Sequence, residues 1–341
     1  MSDSRAPRIV VLAGGVGGSN FALGVREALR RRGADAASHL TIIANTGDDL
    51  WLTGVRLQPD VDSLVYALAG VNDAQRGWGR AGESERVSAE LTQWGASWPW
   101  FTLGDLDLGL HLARTGWLRD GATASEVIGR MAQRWPLGAR ILPMTDAEVD
   151  TIVTVREGTA ERSMHFQEWW TRHRAALTPV RFDNPGVAAA SPAPGVIESI
   201  ADADLVLLAP SNPVVSIGPI LAVPGIRDAL RDTPASIVGT SPIIAGSVVR
   251  GMADVCLAAI GVDSSAAAVA AHYGARADGG LLDAWLIAEE DSVLSANIDA
   301  SGIAAVVRPL WMRDLDTSAA LAEDAMRAGE VHRPRRGQAA R

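Results

Sequence analysis

Short runs of apolar, largely β-branched residues recur along the chain, and each stops abruptly at a polar or glycine-rich turn. Residues 8–13 (RIVVLA) run into Gly14-Gly15-Val16-Gly17-Gly18, after which apolar positions return at helical spacing over 20–32. Residues 40–45 (LTIIAN) stop at Thr46-Gly47-Asp48-Asp49. Late in the chain 204–208 (DLVLL) leads into Ala209-Pro210-Ser211-Asn212-Pro213, and 235–239 (ASIVG) leads into Thr240-Ser241-Pro242. Continuous apolar runs of this length, alternating with helical patterns, predict strands covered on both faces. The fold class is therefore α/β, a Rossmann-like parallel sheet with helices on both faces.

The middle of the chain has another character. Helical patterns at 84–94, 105–112 and 124–134 lie in a stretch that holds eight of the eleven tryptophans. This predicts a helical, Trp-rich cap or insertion over 76–174, carried by a core of 1–75 and 175–327. The last ten residues contain four arginines and no apolar periodicity, which predicts a flexible tail over 328–341. The first apolar run breaks after six residues, so it reads as a strand and not as a secretory leader.

Composition removes several classes of function. The net charge of −9 argues against nonspecific nucleic-acid binding, which needs a basic surface. No apolar run is long enough for a membrane-spanning helix. The single cysteine, Cys256, lies in an apolar helical pattern and reads as a buried thiol; the expected compartment is the cytoplasm. All 31 basic side chains counted as Lys or Arg are arginines. Without lysine there is no Schiff base and no Walker lysine, so an anion must be held by arginine, backbone N–H groups, a helix terminus or a metal.

Five stretches can carry chemistry. The turn Gly14-Gly15-Val16-Gly17-Gly18-Ser19 opens a helix whose N-terminus can receive a phosphate, or it is a tight turn with no ligand. Asp48, Asp49, Asp60 and Asp62 gather near one strand end. They are ligands for a divalent cation beside a diphosphate, or partly caps of the helix beginning near Asp60. Ser211-Asn212, between two prolines, offers polar groups to a phosphate or a base. In Leu103-Gly104-Asp105, with His111 and Arg114 beyond, Asp105 is a helix cap or a substrate contact. His165-Phe166-Gln167-Glu168-Trp169-Trp170 is a packing cluster or an aromatic wall for a flat ring.

Together and in this order the segments resemble the 2-phospho-L-lactate transferase family (CofD, or FbiA). They are Gly14–Gly18, NTGDDLW (45–51), PDVD (59–62), LGDLD (103–107), ILPMTD (141–146), HFQEW (165–169), PSNPVVSIGP (210–219) and SPIIAG (241–246). The stretches RGWG (76–79) and RGMAD (250–254) resemble the actinobacterial branch in particular. The resemblance implies transfer of a phospho-linked three-carbon acid from a guanosine-diphospho donor to the ribityl hydroxyl of a deazaflavin (Fo). GMP is released, in a step of coenzyme F-420 synthesis. In this branch the acid is phosphoenolpyruvate, and in others phospholactate. Also implied are Mg²⁺, a homodimer, Asp48 and Asp62 at the metal and acceptor hydroxyl, and Gly14, Gly15, Gly17, Gly18, Ser19, Ser211 and Asn212 on the donor. Asp62, Thr102 and Asp105 fall on the deazaflavin side. Archaeal members carry lysine where Thr102 stands, so that contact is lost or replaced here. The alternative is a nucleotide-sugar-binding protein of the related fold.

Overall fold

A computed structural model describes residues 6–96 and 100–332. The first apolar run is β1 (Ile9–Ala13), buried throughout, and the helical spacing behind it is α1 (Gly15–Arg31). A short α2 (Ala36–His39) leads to β2 (Leu40–Ala44). An antiparallel pair, β3 (Leu50–Leu52) and β4 (Val55–Leu57), precedes α3 (Pro59–Ala69). Pro59 opens α3, where its missing N–H has no helical partner to lose, and Gly70 closes it in the left-handed conformation.

The middle segment supplies α4 (Arg86–Gln93), α5 (Asp105–Arg119) and α6 (Ala124–Arg134). The chain then continues through β5 (Arg140–Pro143), β6 (Ile152–Glu157), β7 (Ala160–His165), β8 (Pro179–Asp183), α7 (Val196–Ala201) and β9 (Leu205–Leu208). There follow α8 (Gly218–Ala222), α9 (Ile226–Asp232), β10 (Ser236–Thr240), the small ladder of β11 (Ile243–Ile244) with β12 (Ser247–Val248), α10 (Ala253–Ala259) and α11 (Ala266–Tyr273). The last elements are β13 (Ala284–Ile287), α12 (Ser295–Ala300), β14 (Ala304–Val307) and α13 (Leu315–Val331).

Seven strands form one sheet in the order β14-β13-β10-β9-β1-β2-β5, and every pairing in it is parallel. Alternation along β1 shows why its run is apolar at every position. Ile9, Val11 and Ala13 enter one core with Phe21, Val25, Leu64 and Met326, while Val10 and Leu12 enter the other with Ile220, Leu230 and Leu257. From β1 the order runs outward through β2 on one side and through β9 and β10 on the other. The sheet thus reverses between β1 and β9, and ligands of open parallel sheets bind at the carboxyl edge of such a crevice.

The segment 76–174 is not the purely helical cap expected. Residues 140–143 complete the edge of the main sheet, and β6 pairs with β7 and with β8, beyond the expected boundary at 174. Val153 and Val155 of β6 pack with Phe166, Trp169 and Met252, whereas β7 is mostly exposed and gives no apolar alternation to read. Residues 328–331 do not belong to the flexible tail expected from 328. Ala328 and Gly329 are buried in α13, and the Ser236 hydroxyl donates to the Gly329 carbonyl. Residues 333–341 lie outside the described residues. Among the described residues no single helix is long and apolar enough to cross a membrane.

Candidate functional site

The loops that follow β1 and β9 meet over the sheet reversal, and glycine is what lets them approach. A Cβ on Gly14 would lie 2.4 Å from Asp60 Oδ2 and 2.8 Å from Ser216 Cβ, and one on Gly18 would lie 2.6 Å from Ser211 Oγ. The Ser211 hydroxyl accepts from the Gly14 N–H (3.1 Å) and donates to the Gly14 carbonyl (2.7 Å). Asn212 Oδ1 accepts from the N–H groups of Val214 and Val215, and the Ser19 hydroxyl donates to the Gly15 carbonyl. The side chains expected on the donor phosphates therefore tie the two loops into shape. The Gly15 N–H, at the positive end of α1, faces the Asp60 carboxylate.

One amide organises the acids. Asn45 Nδ2, at the end of β2, donates to Asp60 Oδ2 (2.8 Å), Asp48 Oδ1 (3.2 Å) and the Val215 carbonyl (3.2 Å). Gln167 Nε2 donates to the other Asp48 oxygen at 3.3 Å. Burial first, and the neighbouring Asp60 second, hold the Asp48 carboxyl well above the usual carboxylate range. Burial pushes Asp60 up to about 6 against the hydrogen bonds from Asn45 and Gly15. Neither acid has an ion-pair partner among the described residues. Asp49 takes a hydrogen bond from Gln58 (2.7 Å) and lies 3.8 Å from the Arg56 guanidinium, yet burial pushes it up to about 8. Its Oδ1 has no hydrogen-bond partner among the described residues.

Asp62 is differently placed. Both its oxygens accept from the fully buried Arg114, and His111 Nδ1 lies 3.7 Å away. Burial lowers His111 to about 4, so the ring is neutral near pH 7. The structure thus joins Asp48 to Asp60, and not to Asp62 as expected. Thr102 lines a cavity of about 240 Å³ with Leu52, Ser88, Leu91, Phe101 and Leu103. Asp105 is exposed, is the first residue of α5 with Gly104 as the cap before it, and accepts from the Ser84 N–H and hydroxyl and from the Leu106 N–H, a local tie between 84 and the start of the helix. Its neighbour Asp107, pushed up to about 7 by burial, faces the Tyr66 hydroxyl instead.

Asn45 and Gln167 had no reading of their own in the sequence. Gln167 reaches Asp48 from 119 residues away, so only its place in the HFQEW segment marked it. Phe166 and Trp169 pack with tilted rings, and Trp169 meets Phe182 edge to face, which makes that segment a packing cluster. Cys256 packs in the same cluster, and burial pushes its thiol up to about 12. Among the described residues no three His, Cys, Asp or Glu side chains are arranged to hold a metal by themselves. Two carboxylates without a cation fit instead an ion such as Mg²⁺, which takes one or two carboxylates and completes its shell with phosphate oxygens and water.

A family model described as 2-phospho-L-lactate transferase CofD matches residues 9–310. The chain is 48% identical over 334 residues to a phosphoenolpyruvate transferase of Mycobacterium sp. (strain KMS), covering 95% of this chain and 99% of the relative. It is 47% identical over 317 residues to a protein of the same name from Thermobifida fusca (strain YX), covering 92% and 95%. A solved structure from Bacillus halodurans has the same fold, with a TM-score of 0.61 at 18% identity over 94% of this chain and 100% of that one. A further Bacillus halodurans structure, titled as a member of the upf0052 family, gives 0.58 at 16% over the same shares. On the span of the family model and the near-complete coverage of these relatives, the chain belongs to the 2-phospho-L-lactate transferase CofD family, a family of transferases.

Proposed function

We propose that the protein transfers a phosphoenolpyruvyl group from enolpyruvyl-diphospho-guanosine to the ribityl hydroxyl of a deazaflavin alcohol, releasing GMP. The observation that carries this reading is the Asp48–Asp60 pair, buried beside the sheet reversal with no cationic side chain paired to it among the described residues. Bringing an alcohol to a diphosphate asks for positioning and for positive charge where the bridging oxygen becomes anionic. With no lysine in the chain, Mg²⁺ on Asp48 and Asp60 would neutralise that charge.

The chain's own residues do the rest. The hydroxyl oxygen forms its bond to the phosphorus that bears the three-carbon acid, the bond to GMP breaks, and the hydroxyl proton passes to a carboxylate. Asp49 Oδ1 is the open acceptor, in a group poised near neutrality, where a general base works best. Asp62 acts through Arg114 as a positioning residue. The cavity beside Thr102 takes the deazaflavin ring: it opens off Leu52, three residues along β3 from Asp49, and a strand rises about 3.3 Å per residue. A ring there has its ribityl chain within reach of the acids. The family resemblance further supports a homodimer working in the cytoplasm.

The test is GMP release by purified protein with Mg²⁺, the deazaflavin alcohol and a guanosine-diphospho donor carrying enolpyruvate or lactate. The enolpyruvyl donor is expected to turn over fastest. Release of nucleotide only from sugar donors would overturn the reading.

A further inference from the structure

The ladder of β3 and β4 has two faces. Leu50 pairs with Leu57 and Leu52 with Val55, and these four pack with Leu91, Phe101 and Leu103, which line the Thr102 cavity. Trp51 pairs with Arg56, and side chains alternate along a strand, so this pair takes the opposite face. There Arg56 is 3% exposed, with its guanidinium 5.8 Å from the Trp51 ring centroid. Its Nη2 donates to Asp150 at 3.3 Å and lies 3.8 Å from Asp49, the proposed proton acceptor. Its Nη1 is buried and has no hydrogen-bond partner among the described residues. A charged donor buried without an acceptor is costly unless a ligand or water completes it.

Glu148 stands near that open nitrogen. Its carboxylate lies 3.7 Å from Nη1, too far for a hydrogen bond, and accepts instead from Trp51 Nε1 at 2.9 Å. The Glu148 side chain is 59% exposed, so it holds the guanidinium weakly and can swing aside. The proposed donor carries two anionic parts. Its diphosphate has Mg²⁺ on Asp48 and Asp60, and the carboxylate of its three-carbon acid still needs a partner. With no lysine in the chain that partner is an arginine, and Arg114 gives both its Nη groups to Asp62. Arg56 stands beside Asp49, and the acid's carboxylate is separated from the reacting phosphorus only by the ester oxygen and one carbon. Resting on that reading, we infer that Arg56 is the specificity-determining residue for the donor acid, its Nη1 taking the acid's carboxylate where Glu148 now lies. The guanidinium fork matches a planar carboxylate. Lactyl and enolpyruvyl groups both carry the carboxylate on that carbon, so Arg56 selects acids over neutral groups without separating these two.

The experiment is calorimetric titration of the full chain and its Arg56→Met and Glu148→Gln variants with Mg²⁺ and no deazaflavin. The ligands are lactyl-diphospho-guanosine and the isopropyl ester of GDP, in which a methyl group replaces the carboxylate. The wild-type chain is expected to prefer the lactyl compound by about tenfold or more, the scale of one hydrogen bond to a charged group. Arg56→Met should bring the two within about twofold, with the isopropyl ester bound as in the wild type. Glu148→Gln removes the competing carboxylate and should raise the preference severalfold. A preference that survives Arg56→Met, or an equal loss for both ligands, overturns the inference while leaving the proposed reaction intact. So does a wild-type chain that binds both ligands equally. Should Arg56→Met fail to fold, Glu148→Gln, an exposed position, carries the test, and an unchanged preference in it overturns the inference. A wild-type chain that binds neither ligand overturns the proposed function, and this inference with it.

Discussion

Asp60 and Asp62 stand two residues apart in the first turn of α3, are equally buried, and have opposite surroundings. Asp62 faces a guanidinium that satisfies both of its oxygens. Asp60 faces another carboxylate, Asp48, across a single shared amide group. Residues at this spacing point to different sides of a helix, so PDVD cannot present both acids to one ion. The comparison separates two uses of buried acids. Asp62 has its cation from the chain itself; Asp48 and Asp60 have none among the described side chains, and in the proposed reaction Mg²⁺ would supply it.

The largest effect expected is on chemistry. Asp48→Ala should lower GMP release by about a hundredfold or more, the scale seen when a group stabilising developing charge is lost. Stability in urea should fall by about 1–3 kcal/mol at most, since Asn45 and Gln167 lose a buried acceptor. Near-normal turnover would break the comparison at its catalytic end.

Next comes the compensated pair. Arg114→Met leaves Asp62 buried and unpaired, and should cost about 3–5 kcal/mol in urea unfolding. Adding Asp62→Leu should restore most of that stability. If the double variant stays as unstable as the single one, Arg114 supports the fold by packing and not by pairing.

A pH titration sharpens the contrast further. Burial raises Asp60 to about 6 and Asp49 to about 8 in the folded chain, so these groups hold protons that the unfolded chain has already released. The sign follows from proton linkage: without metal, stability falls as pH rises from about 4, where free carboxyls ionise, and the loss is complete only above the folded values. Mg²⁺ should raise the melting temperature more at pH 8 than at pH 5. An equal rise at both would remove the acids from the metal site.

The smallest effects belong to the loop ties. Ser211→Ala leaves the Gly14 N–H and carbonyl without their buried partner and should cost about 1–3 kcal/mol. Asn212→Ala, which removes a cap on two N–H groups, should cost about 1 kcal/mol. If either abolished donor binding without loss of stability, the polar loop would be a ligand contact and not a brace.

The sequence by itself determined the layers of this protein. Buried parallel strands favour unbroken apolar runs: β1 and β9 are apolar at every position, and β2 and β10 carry apolar residues at their centres. It also placed the acids and the glycine turn at strand ends, because turns of this kind are local. Which acid meets which partner was decided only by tertiary structure. Gln167 and Arg114 reach the acids from beyond β7 and from α5, and no local pattern encodes a contact across such separations. The β6–β8 sheet escaped for a related reason: an exposed strand bound by backbone hydrogen bonds leaves little side-chain pattern to read.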